Sequence, residues 1–179
     1  IAGREVRLSL RSPSTWVFLA ALSFLAGLLV FILGDFFAMG RAELRPLFDL
    51  LPWLLAFFIP ALTMRMIAEE ERAGTLELLL TAPFSDGEIV AGKILGSGLL
   101  SLLAIAATVP IAAIVFSVGS PDIGPAATGY LGVGCLAFVF ASLGLAASAR
   151  FASPVGAYVA GGLGSLLLLL FDLDPFQRL

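Results

Sequence analysis

The chain contains no histidine and one cysteine, and only 13% of its 179 residues are charged. Each scarcity excludes a class of chemistry. Without histidine there is no Ser-His-Asp triad, no His-based zinc site and no H-E-x-x-H motif. Cys135 alone cannot form a disulfide within the chain, so cysteine usage says nothing of the redox compartment. The charged fraction is about half the ~25% usual in soluble domains. With 60% hydrophobic residues and a mean hydropathy of +1.07, it argues for a domain solvated by lipid. The net charge of −3 is small and gives no basis for a nucleic-acid partner. A cleavable signal peptide is not evident, because the first apolar run is too long for one and lacks an A-x-A-like exit.

Long apolar runs fill the space that charge leaves. The hydrocarbon core takes about 20 apolar residues as a helix. Five segments meet or approach that length: residues 14–34, 47–64, 94–118, 123–149 and 151–171. The second is the weakest, with Asp49 at its start and Pro52 and Pro60 inside it. Pro110 lies within the third. The runs are continuously apolar and lack the in–out alternation of barrel strands. The expected fold is an all-α polytopic membrane bundle, with 1–179 as a single transmembrane domain.

Lys and Arg set the expected orientation. With the N-terminus cytoplasmic, Arg4, Arg7, Arg11, Arg65, Arg72, Lys93 and Arg150 lie at the inner face, and Arg41, Arg45 and Arg178 lie outside. Arg4, Arg7 and Arg11 share one helical face by their spacing; Ala2, Val6 and Leu10 share the other. Residues 1–12 therefore read as an amphipathic helix on the inner surface with its basic face toward lipid headgroups, or more simply as a basic topogenic flank. Ser12 and Pro13 break the chain before the first span. Residues 150–154 force a tight hairpin between the fourth and fifth spans. Asp172, Asp174 and Pro175 turn the chain after the fifth. An odd span count, the end at Leu179 and the start at Ile1 lead us to expect a chain trimmed at both ends.

The polar segment between the second and third spans carries the densest pattern. Gly74 is a helix stop, and Thr75 can cap a new short helix. Leu76, Leu79 and Leu80 share one face of it, and Pro83 ends it. Ser85 and Glu88 have capping-box spacing and open the third span. The leucine face can lie in the headgroup region, pack on its own bundle, or dock into a groove of a cytoplasmic partner. The glutamates at 69–71 read as a solvated face, with Glu69 and Arg72 spaced for a weak helix ion pair.

Residues 68–93 read A-E-E-E-R-A-G-T-L-E-L-L-L-T-A-P-F-S-D-G-E-I-V-A-G-K. This string resembles the signature of ABC-2 type permeases, most of all the gliding-motility-associated permeases. Their pattern is E-x-x-x-G-T-x-E-x-L-x-x-x-P, then x-E-I-V-x-G-K. Glu70, Gly74, Thr75, Glu77, Leu79 and Pro83 match it, followed by Glu88, Gly92 and Lys93. Arg4, Glu5 and Val6, with Ser12 and Pro13, resemble the family's start. The resemblance covers the whole chain, but only this loop is specific. It implies six spans in the full chain, so that the sixth is missing here, and a coupling loop at 65–92. Residues 75–81 would touch a separate ABC ATPase subunit that hydrolyses the ATP, so that this chain is no enzyme and needs no cofactor. Contact would involve Glu70, Arg72, Gly74, Thr75, Leu76, Glu77, Leu79, Leu80, Thr81 and Pro83. Glu77 would be the polar contact; a solvated position on a surface helix is its plainer reading. The resemblance further implies export across a bacterial inner membrane by two permease subunits, homo- or heteromeric, with an accessory periplasmic protein as a further candidate partner.

Gly87, Gly92 and Lys93 nearly spell a phosphate-binding loop, but Ile94 supplies no hydroxyl for magnesium and a membrane span follows. Lys93 reads instead as a residue at the membrane edge, its stem in lipid and its ammonium in water. Gly92 with Gly96, and Gly161 with Ser165, have the small-x-x-x-small spacing of closely packed membrane helices, within one chain or between two. Phe57, Phe58, Phe138 and Phe140 belong to the core or the lipid face rather than to an apolar route. A secondary transporter would place ionisable residues within its spans, which these spans lack away from their ends. A scaffolding membrane protein of a surface machinery is the other alternative.

Overall fold

Lipid offers no water to satisfy backbone groups, so continuous apolar runs close their own hydrogen bonds as helices. The computed structural model of the protein describes residues 2–33, 43–64, 66–67, 86–151 and 153–171, and among them there are seven helices and no strand. They are α1 (Ala2–Arg11), α2 (Pro13–Leu33), α3 (Arg45–Thr63), α4 (Asp86–Ala106), α5 (Val109–Val118), α6 (Ile123–Arg150) and α7 (Pro154–Phe171). Taking α4 and α5 together, five segments are long and apolar enough to cross a membrane. The protein is an all-α polytopic bundle, as expected.

The break between α4 and α5 follows from Pro110, which has no N–H to offer the Ala106 carbonyl. The chain tightens there: the Thr108 N–H bonds Ile105 O at 2.9 Å and the Ile111 N–H bonds Thr108 O at 3.0 Å. The buried Thr108 hydroxyl also donates to Ile105 O, at 2.7 Å.

α3 is the centre of the bundle, packed against α2, α4, α6 and α7. It is the least apolar of the five spans, as expected, with a mean hydropathy of 1.6; its central position was not expected. Asp49 lies at its exposed end, paired with Arg45 at 3.9 Å, and Pro52 and Pro60 sit inside an unbroken helix. Pro60 is buried where α3, α6 and α7 meet. A Cβ on Gly144 would strike the Thr63 hydroxyl and lie 3.2 Å from Pro60 Cα; one on Gly161 would lie 3.1 Å from Gly144 Cα. Two missing side chains thus let three backbones touch. Gly161 and Ser165 pack within the chain, the buried Ser165 hydroxyl donating to Gly161 O at 2.9 Å.

The outward surface of the spans is largely apolar, with Phe24, Leu131, Val155, Leu163 and Leu167 exposed. The four phenylalanines divide as expected between core and outer face: Phe140 is fully buried, Phe57 and Phe138 are exposed, and Phe58 stands edge-on to Phe18 at 6.5 Å. One end of the bundle gathers α1, the starts of α2, α4 and α7, and the ends of α3 and α6. The predicted hairpin closes that end. Phe151 leaves α6 in extended conformation, its N–H bonded to Ala147 O at 3.1 Å, and Pro154 opens α7.

Candidate functional site

The end of α3 is the place where this fold departs from simple helix packing. The last carbonyls of a helix have no partner within it and carry partial negative charge. Beyond Thr63 these carbonyls are taken up by side chains of two other helices, α4 and α6.

Lys93 Nζ on α4 donates to Met66 O at 2.8 Å and to Glu5 Oε1 on α1 at 3.4 Å. The Lys93 and Glu5 side chains are only 3% and 9% exposed. A few ångströms away, the Ser148 hydroxyl on α6 donates to Met64 O at 2.9 Å and accepts the Ile67 N–H at 3.1 Å. Met66, Leu100 and Leu145 form an apolar cluster at the junction, with Ile67 and Ile94 packed on it. Charges taken from water need this kind of mutual satisfaction.

Local sequence places each member. Lys93 and Gly96 are one turn apart on α4, so they share a face. A Cβ on Gly96 would lie 3.0 Å from Glu5 Cβ, so its absence lets α1 lie close enough for the carboxylate to reach the ammonium. Ser12 separates α1 from α2, and the Trp16 indole N–H donates to Leu10 O at 2.8 Å across that corner. Beside the junction is a half-open cavity of about 180 Å³, lined by Glu5, Ser9, Ser12 and Thr15 with Phe18 and Leu62.

Lys93 therefore corrects the sequence reading. It sits at the end of the bundle where a membrane-edge residue belongs, but its ammonium is buried against a carboxylate and a carbonyl, not in water. The reason is Glu5, an acid brought to it by α1. On α1, Arg7 and Arg11 are exposed, while Glu5 is buried and Val6 and Leu10 are half-buried. Arg4 lies on the same helix, and its side chain falls outside the described residues. Residues 87–94 are helical, so no loop exists there to cradle a phosphate. Glu70, Arg72, Gly74, Thr75, Leu76, Glu77, Leu79, Leu80, Thr81 and Pro83, with Ser85 of the capping box, lie outside the described residues. What the structure supplies is the root from which that segment departs, Met64, Met66 and Ile67.

Reasoning from the sequence missed Glu5 and Ser148. Glu5 had a signal, as the one acid on a helix otherwise charged by arginines. Ser148 had none, being a hydroxyl in the small-residue run at 146–149.

The sequence matches the family model described as ABC-2 family transporter protein over residues 1–175. The chain belongs to that family. It is 35% identical over 134 residues to the probable ABC transporter permease protein NosY of Pseudomonas aeruginosa, a match covering 67% of this chain and 48% of that protein. The chain thus spans about half the length of that relative. As an ABC-2 protein with five apolar spans it is a multi-pass membrane permease component. At the junction the Lys93 ammonium and the Ser148 hydroxyl both hold main-chain groups at the end of α3. The narrower resemblance to gliding-motility permeases finds no counterpart in this relative.

Proposed function

We propose that the protein is the membrane-spanning subunit of an ATP-driven exporter of a bacterial inner membrane, with ATP hydrolysed on a separate ABC ATPase subunit. The family match over residues 1–175 carries this reading. Two permease subunits, identical or not, and two ATPase subunits form the working unit, which an accessory periplasmic protein can join. The N-terminus is cytoplasmic. Residues 1–12 lie on the inner surface with Arg4, Arg7 and Arg11 toward anionic headgroups. The loop at 65–92 couples the two kinds of subunit. Leu76, Leu79 and Leu80 enter a groove on the ATPase, and Glu77 makes the polar contact beside them. ATP binding closes the ATPase pair, which favours one arrangement of the spans over the other. Gliding-type surface machinery is one setting in which such an exporter would work. A secondary transporter is disfavoured because the described charged residues cluster near helix ends, whereas ion coupling calls for ionisable groups within the spans.

The test is co-purification of the full-length protein with the ATPase encoded beside it. The wild type should retain the ATPase. The double variant Leu79→Asp with Glu77→Lys should lose it while still inserting into the membrane. Equal retention by both, or none by the wild type, would refute the docking assignment.

A further inference from the structure

A helix whose last carbonyls face water can swivel about its end, and a chain leaving it moves without dragging its neighbours. The root of the 68–85 segment in this protein lacks that freedom. The Met64 and Met66 carbonyls and the Ile67 N–H are held by side chains of α4 and α6. The hydrogen bond from the Lys93 ammonium is charge-assisted and buried, the kind that is roughly twice as strong as a neutral one. Parting it would leave a buried ammonium and a carbonyl short of a partner, which resists opening more than loss of an exposed bond would. Glu5 neutralises that charge and comes from α1, so the surface helix belongs to the same body. Gly96 sets its distance from α4.

We propose that Lys93 and Ser148 are positioning residues for the ATPase-driven step. They tie the α3 end of the coupling segment to α4 and α6, with α1 carried along by Glu5, so that a displacement entering at that end moves these helices with α3. The inference rests on the docking reading above, since it concerns what happens to the force once an ATPase is bound. It assigns distinct parts to Glu5 and Met66: Glu5 neutralises, whereas the Met66 carbonyl is the element that is pulled.

The experiment uses the full-length permease with its ATPase in lipid nanodiscs. Retention of the ATPase is measured first, then KM for ATP and kcat, against the ATPase alone. Lys93→Met removes the ammonium and keeps most of the stem. Ser148→Ala removes one hydroxyl from a different helix at the same root, and serves where Lys93→Met lowers the yield of folded protein. Both variants should retain the ATPase with KM within about twofold of wild type, while the change in kcat that the permease imposes falls at least fivefold. The exchange Glu5→Lys with Lys93→Glu restores an ion pair but gives Met66 O no donor from position 93. It should recover thermal stability without recovering the effect on kcat. Wild-type kcat in both single variants would overturn the proposal. Full recovery of kcat by the exchange would also overturn it, since the ion pair alone would then suffice. Failure of the wild type to retain any ATPase would remove the docking reading itself and this inference with it, an outcome distinct from retention with unchanged kcat.

Discussion

The Ser148 hydroxyl donates to Met64 O at 2.9 Å and accepts from Ile67 N at 3.1 Å, so a single side chain on α6 closes the end of α3. Both partners are backbone groups just beyond the end of the helix. Ser148→Ala takes a partner from a half-buried acceptor and a half-buried donor, at a cost of about 1–3 kcal/mol in total. Thermal unfolding in detergent should shift down by several degrees. Ser142→Ala is the matched control, because that hydroxyl only back-bonds Phe138 O on its own helix; it should change little. Equal effects of the two would contradict the role given to Ser148.

Lys93→Met should be among the more damaging single changes at this end of the bundle. It leaves the Glu5 carboxylate buried without its counter-charge, a situation worth about 3–5 kcal/mol. Adding Glu5→Leu removes the stranded charge, and the double variant should be clearly more stable than Lys93→Met alone. Denaturant midpoints of the three proteins check this. A double variant no more stable than Lys93→Met would show that the charges are not paired.

The meeting of α3, α6 and α7 makes a steric prediction. Gly144→Ala sets a methyl against the Thr63 hydroxyl and, at 3.2 Å, against Pro60 Cα, which is backbone and cannot swing aside. Overpacking of this kind costs about 1–3 kcal/mol. Gly132→Ala meets nothing within 4 Å and should be neutral or stabilising by up to about 1 kcal/mol through helix propensity. Melting of the two variants side by side distinguishes them.

Much of this architecture was legible in the residues. The uncharged run at 14–34 became α2, the turn at 150–154 became the α6–α7 hairpin, and the Gly161–Ser165 spacing became a close helix contact. The centrality of α3 was not legible, because lipid and protein core both select apolar side chains. A span facing lipid and a span facing other spans then look alike. Asp49 and the two prolines lowered the apparent quality of α3 without saying which way its faces point. Lys93 was misread for a related reason. A lysine at a membrane edge normally reaches for water, and what reverses this is a carboxylate 88 positions earlier. No local pattern around residue 93 records it. Ser148 depends likewise on a partner 84 positions away.

Orientation can be read by labelling single cysteines in a Cys135→Ser background. Arg7, Arg150 and Glu43 are all exposed, the first two at the α1 end of the bundle and the third at the other. In sealed inside-out vesicles, a membrane-impermeant maleimide should label Arg7→Cys and Arg150→Cys and leave Glu43→Cys unlabelled. In intact cells with a permeable outer envelope the pattern should reverse. Labelling of all three from one side would contradict the bundle's topology.

The most direct test of the permease assignment is made in living cells with a photo-reactive amino acid replacing Leu79, or replacing the outward-facing Leu131 as a control. Docking of the 65–92 loop predicts an adduct between position 79 and the ATPase subunit encoded beside this chain, with none from position 131. Absence of the adduct at 79 in a chain that inserts normally, or an equal yield at both positions, would contradict it.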